Sequence, residues 1–148
     1  MEYHMKPIGV IHTPFRSPSG MPIQSSRSTE FGEIEVFSEY EPGLQGIDGF
    51  SHLILIYVFH AALEGTDLLV TPLLDDKPHG VFATRFYRRP NPIGLSIVRL
   101  VQTAGLRLQI QGADMLDGTP LLDIKPYVPE FDVRSADKLG WYATRAHP

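Results

Sequence analysis

His52-Leu53-Ile54-Leu55-Ile56-Tyr57-Val58-Phe59-His60 is the stretch on which the fold turns, because it is apolar on both faces when alternate side chains are taken in turn. A strand with neighbours on both edges and cover on both faces has this pattern. Its apolar stretch, Leu53 to Phe59, is far shorter than the roughly 20 residues a helix needs to cross a bilayer. Outward from it, 13 glycines and 13 prolines punctuate the 148 residues, which favours short strands over long helices.

The rest of the chain reads the same way. Ile8 to Ile11 is a first strand stopped by Pro14, and the Ser, Pro and Gly of Ser17 to Ser28 make a loop. Phe31 to Phe37 alternates, with Glu33 and Glu35 on a wet face and Ile34 and Val36 on a buried one. Glu39 to Leu44 supports no more than a helical turn. Leu68 to Leu74 and Val81 to Thr84 read as two short strands. Leu95 to Val101 runs through Thr103-Ala104-Gly105 into Leu106 to Ile110, a hairpin. Asp117-Gly118 marks a turn before Leu121 to Ile124. The polar tail after Pro126 has Trp141 and Tyr142 as its large anchors. The expectation is an all-β fold: a small single-domain β-barrel over residues 1–148 with few short helical turns.

Composition narrows the function. A hydrophobic content of 43% with 20% charged residues belongs to a globular chain. No cysteine is present, so disulfides, thiolate nucleophiles and Cys-ligated zinc are excluded. Glu2, His4, Lys6 and Pro7 rule out a signal-peptide core at the amino terminus, so a soluble, cytoplasmic protein is expected. His52 and His60 would stand about 26 Å apart on one strand, too far for one ion, and no H-x-x-x-H occurs. No metal is expected. The patterns G-x-S-x-G, G-x-G-x-x-G and the P-loop are absent.

Charge is segregated. From Lys77 to Ala113 there are six cations (Lys77, Arg85, Arg88, Arg89, Arg99, Arg107) and no carboxylate, while the seven other bases face all 17 acids. One positive surface on an acidic body suits a polyanion or an anionic ligand. Within it, Arg88-Arg89-Pro90-Asn91-Pro92-Ile93-Gly94 is stiffened by two prolines and freed at a glycine. Arg85, Arg88 and Arg89 are candidates to grip phosphates while Phe86 or Tyr87 stacks on a base. A solvated arginine cluster and a tight structural turn are the plain alternatives. Asp75-Asp76 and Asp114 to Asp117 are loop carboxylates, each a candidate base or a turn cap.

Gly80 to Arg85 (GVFATR), Arg89 to Ser96 (RPNPIGLS) and Asp117 to Tyr127 (DGTPLLDIKPY) together resemble the signature of the TsaA-like, or TrmO, family. Ile8 to Phe15, Met21 to Gln24 and Gly49 to His60 are similar to the family as well, so the resemblance spans nearly the whole chain. It implies a small barrel that binds S-adenosylmethionine without a Rossmann fold, usually as a homodimer. It also implies N6-methylation of threonylcarbamoyl-adenosine 37 in the tRNA anticodon loop. Carried onto matching positions, the cofactor-binding residues are Gln24, Ser25, Ser26, His60, Ala61, Arg85 and Leu95, with Asp114, Met115, Leu116 and Asp117. The substrate-binding candidates are Arg88, Arg89, Asn91 and Tyr127, and the catalytic candidate is Asp117, with His60 and Tyr127 as alternatives. Pro22-Ile23-Gln24-Ser25 departs from the family's P-R-Q-P, and Ala61 from its Gln, so the side chain at 61 has no hydrogen bond to offer. Longer members carry a carboxy-terminal domain; this chain ends about twenty residues past Tyr127. A methyltransferase of a small metabolite, or a non-catalytic S-adenosylmethionine- or RNA-binding module, is the alternative function.

Overall fold

The computed structural model describes residues 1–17, 21–22, 28–62 and 65–145. Eight strands occur among them: β1 Gly9–His12, β2 Phe31–Val36, β3 His52–Val58, β4 Leu69–Val70, β5 His79–Gly80, β6 Ile93–Ala104, β7 Arg107–Gln111 and β8 Thr119–Pro126. Six close into an antiparallel barrel in the order β1-β2-β7-β6-β3-β8, and β8 pairs with β1 to seal it. β4 and β5 form a separate two-stranded ribbon. The all-β barrel read from the sequence is the observed fold, and its helical content is one α-turn, Pro129–Asp132, and short 3-10 turns.

Period two builds the core. Ile11, Ile34, Leu53, Leu55, Leu108, Ile110 and Leu121 are fully buried inside the barrel. Each contributes about 1.5–3 kcal/mol relative to an exposed side chain. β3 is paired on both edges, by β6 and β8. Its inward residues fill the barrel while Ile54, Ile56 and Val58 stay half-exposed outside. The apolar outer face continues onto β6 through Ile93, Leu95 and Ile97, which the register sets opposite Val58, Ile56 and Ile54.

Three readings are corrected. Val81 to Thr84 is no strand: the Thr84 N–H and hydroxyl both donate to the Val81 carbonyl, at 3.0 and 2.8 Å, and close a 3-10 turn over Val81–Ala83. Of Leu68 to Leu74 only Leu69–Val70 pairs, because Pro72 has no N–H and its carbonyl instead accepts the Asp75 N–H in a turn. The third concerns Gly94, which does not adopt a left-handed conformation. It lies in β6, where a Cβ would sit 2.5 Å from Tyr57 Cε2 and 2.7 Å from Phe59 Cζ. The prolines set up the strand and the glycine makes room for two rings.

The tail docks on the ribbon. Trp141 stacks on His79 with ring centroids 5.2 Å apart, and its indole N–H donates to the Ala83 carbonyl at 2.7 Å. Asp75, almost wholly buried, accepts from both His79 and Arg145.

Candidate functional site

A groove of about 620 Å³ runs along the outer wall of the barrel over β6. That volume lies within the range of small-molecule sites. Alternation along β6 turns Leu95, Ile97 and Arg99 outward as its floor. Arg85, from the turn after Val81–Ala83, borders it, and His52 and Tyr127 border it from β3 and the end of β8. Ser28 and Thr29 form part of the rim.

Behind the wall lies a buried relay that the sequence reading missed. The Ser96 hydroxyl donates to Asp114 Oδ1 at 2.6 Å, and the Tyr57 hydroxyl lies 2.8 Å from Ser96 Oγ. Serine has one proton, so Tyr57 donates to Ser96 and the chain of hydrogen bonds ends on the Asp114 carboxylate. Burial first, then the Asp114 charge, pushes the Tyr57 phenol far above its ordinary value; the Ser96 hydrogen bond and the Arg85 charge offset this in part. Arg85 and Asp114 therefore both act on one buried phenol. The signal was present: Tyr57 and Ser96 are hydroxyls on the inward register of two apolar strands.

The 112–118 segment, which carries Asp114 to Asp117, spans between β7 and β8 and is held at several points. The Thr13 hydroxyl donates to the Met115 carbonyl at 2.7 Å, and the Thr119 hydroxyl to the Leu116 carbonyl at 2.6 Å. Met115 is buried. Asp117 turns toward β1: its Oδ1 accepts the Thr13 N–H at 3.0 Å and lies 3.5 Å from His12 Nδ1. His12 also meets Glu35 at 3.1 Å, a hydrogen bond that holds the Glu35 carboxyl below the ordinary carboxylate range. Asp114 and Asp117 thus share a loop but face different neighbours.

Of the other expected residues, Arg85, Leu95 and Tyr127 line the groove together. His60 and Ala61 lie in the 3-10 turn after β3, outside the groove lining. Asn91 is exposed, and its carbonyl accepts the Ile93 N–H at 2.7 Å. Arg89 is turned onto its own loop, where Nη1 donates to the Thr84 and Phe86 carbonyls at 3.0 and 2.9 Å. Arg88 is exposed and 3.9 Å from Asp67. Gln24, Ser25 and Ser26 lie outside the described residues. The six cations do not make one surface: Arg107 pairs with Glu33 and Glu35, which the β2–β7 register brings beside it. Among the described residues, no cluster of three or more His, Asp or Glu side chains is arranged to hold a metal ion, and no helix is long and apolar enough to cross a membrane.

A closed six-stranded barrel with a cation-bordered groove on its outer wall defines a small β-barrel ligand-binding domain. The chain belongs to the family of the tRNA-methyltransferase O N-terminal domain, whose model matches residues 10–133. It is 54% identical over 143 residues to a Pyrococcus abyssi protein named a probable S-adenosyl-L-methionine-binding protein, covering 96% of this chain and 77% of that one. It is 37% identical over 134 residues to the mouse tRNA (adenine(37)-N6)-methyltransferase, covering 86% of this chain but only 31% of the mouse protein. The crystal structure of TrmO from Pseudomonas aeruginosa superposes with a TM-score of 0.79 at 36% identity, covering 95% of this chain and 63% of that chain. The chain thus spans less than two thirds of the solved TrmO.

Proposed function

We propose that this chain is an S-adenosylmethionine-dependent methyltransferase acting on N6 of adenosine 37 in tRNA, the threonylcarbamoyl-modified base being its acceptor. The observation that carries the proposal is the β6 groove, lined by Arg85, Leu95 and Ser96, with Ser96 tied behind the wall to the Asp114 carboxylate by a buried relay. Family membership and the names of the relatives support the same donor.

The residues present fit that donor. Leu95 and Ile97 give an apolar floor and Arg85 a guanidinium suited to a carboxylate. When bound, S-adenosylmethionine supplies a methyl group on a sulfonium, already activated for transfer to a nucleophile held in line with it. An acyl-substituted N6 is a poor nucleophile and must lose its proton. Asp117 is proposed as the acceptor from the family resemblance alone. Its Oδ1 is fixed by the Thr13 N–H beside β1, outside the groove lining, so it must act from the 112–118 segment at the groove's edge or not at all. Arg88 is the proposed contact for anticodon-loop phosphates, with Arg89 and Asn91 holding the shape of that loop.

The chain is proposed to work as a homodimer in the cytoplasm. Leu68, Leu69, Leu73 and Phe82 are all strongly exposed on and around the ribbon, and a second copy would cover them. Mass spectrometry of nucleosides after incubating the protein with undermethylated tRNA and donor tests the function. The N6-methylated nucleoside is the expected product. Donor binding without any methylated nucleoside would instead mean a binding module.

A further inference from the structure

We infer that the half of the groove around Arg99 is a second subsite, built for an oxyanion beside a planar aromatic ring. Arg99 sits on the outward register of β6, directly opposite His52 on β3. Four residues of strand separate it from Leu95, about 13 Å. Its guanidinium is exposed and makes no hydrogen bond or ion pair with the described residues. In contrast, Arg107 is engaged by Glu33 and Glu35, and Arg89 by two carbonyls. Arg99 is thus an unspent cation in a concave wall whose other outward side chains are Leu95 and Ile97.

Two rings stand beside it. His52 and Tyr127 meet edge to face, with centroids 6.2 Å apart at 67°. Both are fixed: Ser51 Oγ lies 2.8 Å from His52 Nδ1, and the Tyr127 N–H donates to the His52 carbonyl at 3.0 Å. A guanidinium takes phosphate or carboxylate in paired hydrogen bonds, and aromatic side chains stack on bases. A nucleotide meets both demands at once. The inference rests on the donor occupying the Arg85–Leu95 half, and it makes the Arg99 half the place where the acceptor is selected. The oxyanion has two possible sources, a backbone phosphate or a carboxylate carried by the base.

The test uses the whole chain with its donor half filled by S-adenosylhomocysteine, titrated with adenosine 5′-monophosphate and with adenosine. Binding is followed by the NMR shifts of the His52 ring. The monophosphate is expected to bind about tenfold tighter than the nucleoside, and Arg99→Gln to abolish that preference. Arg99→Lys should retain part of it, and donor affinity should not change in either variant. Equal binding of the two probes to the wild type, or a preference that survives in Arg99→Gln, overturns the subsite. A donor affinity that falls as far as the monophosphate's also overturns it, by placing Arg99 in the donor half.

Anticodon stem-loops with and without a carboxylate on the acceptor base then separate the sources. Loss of turnover in Arg99→Gln on both substrates identifies a phosphate; loss on the carboxylate-bearing one alone identifies the base. Monophosphate preference in a protein that methylates no RNA would refute the proposed function and leave the subsite standing.

Discussion

Gly94 shows how one absent side chain shapes the site. Tyr57 and Phe59 meet edge to face with centroids 5.6 Å apart, in the space a Cβ at 94 would occupy. Gly94→Ala must push one ring aside, at a cost of about 1–3 kcal/mol typical of overpacking. The measured result should be a melting temperature several degrees lower. Ser96→Ala should cost a similar ~1–3 kcal/mol, because it strands the Tyr57 hydroxyl and one oxygen of Asp114. Tyr57 also gives a pH prediction. Its phenol is neutral in both folded and unfolded chains below the ordinary value near 10. Above that pH the unfolded chain ionises and the native one resists, so stability falls as pH rises. Tyrosine absorbance should show Tyr57 ionising only with unfolding, whereas Tyr57→Phe should lose less stability in alkali. The arginine-proline motif was visible in the sequence, but the purpose of its glycine was not. A void shared with residues 35 or more positions upstream has no local signature.

The docked tail is the feature to test among elements. Asp75 is held down to about 2, first by the His79 hydrogen bond and also by Arg145. A carboxyl lowered in the folded state contributes stability above its ordinary value near 4 and loses it as pH falls toward 2. Trp141 is the only tryptophan, so its emission reports the contact with His79 directly. The emission should hold constant from neutral pH to about 4 and shift to the red below it. Asp75→Asn should be red-shifted already at neutral pH, with the barrel's far-UV circular dichroism unchanged. The alternating strands β2, β6 and β7 were legible because one wet face and one dry face force a period of two. Val81-Phe82-Ala83-Thr84 was not, because its β-prone composition is overruled by Thr84, whose N–H and hydroxyl turn back on Val81. The positive surface was misread for a similar reason. Glu33 and Glu35 reach Arg107 only through a strand pairing more than 70 residues distant in sequence.

On the scale of the whole molecule, barrel closure joins what the chain keeps apart. β6 carries the groove floor outside and Ser96 inside, the 112–118 segment brings Asp114 to that serine, and β3 contributes Tyr57 to one face and His52 to the other. Arg85, Leu95, Asp114 and Tyr127 were named as site residues from the sequence. Arg99 was named only as one of six cations and His52 only as a rejected metal ligand, and their place in the groove, like the Tyr57–Ser96 pair, emerges once the strands are paired. The exposed Leu69 and Phe82 place a further prediction here: sedimentation should show a dimer, and Leu69→Glu with Phe82→Glu should give a monomer of unchanged secondary structure. The central claim is that the groove over β6 holds the methyl donor, and calorimetric titration with S-adenosylmethionine of the wild type and of Leu95→Glu tests it most directly. One donor should bind per wild-type chain, and Leu95→Glu, altering a half-exposed side chain on the groove floor, should bind at least about tenfold more weakly at an unchanged melting temperature. Equal affinities in the two proteins, or no heat of binding in the wild type, would contradict it.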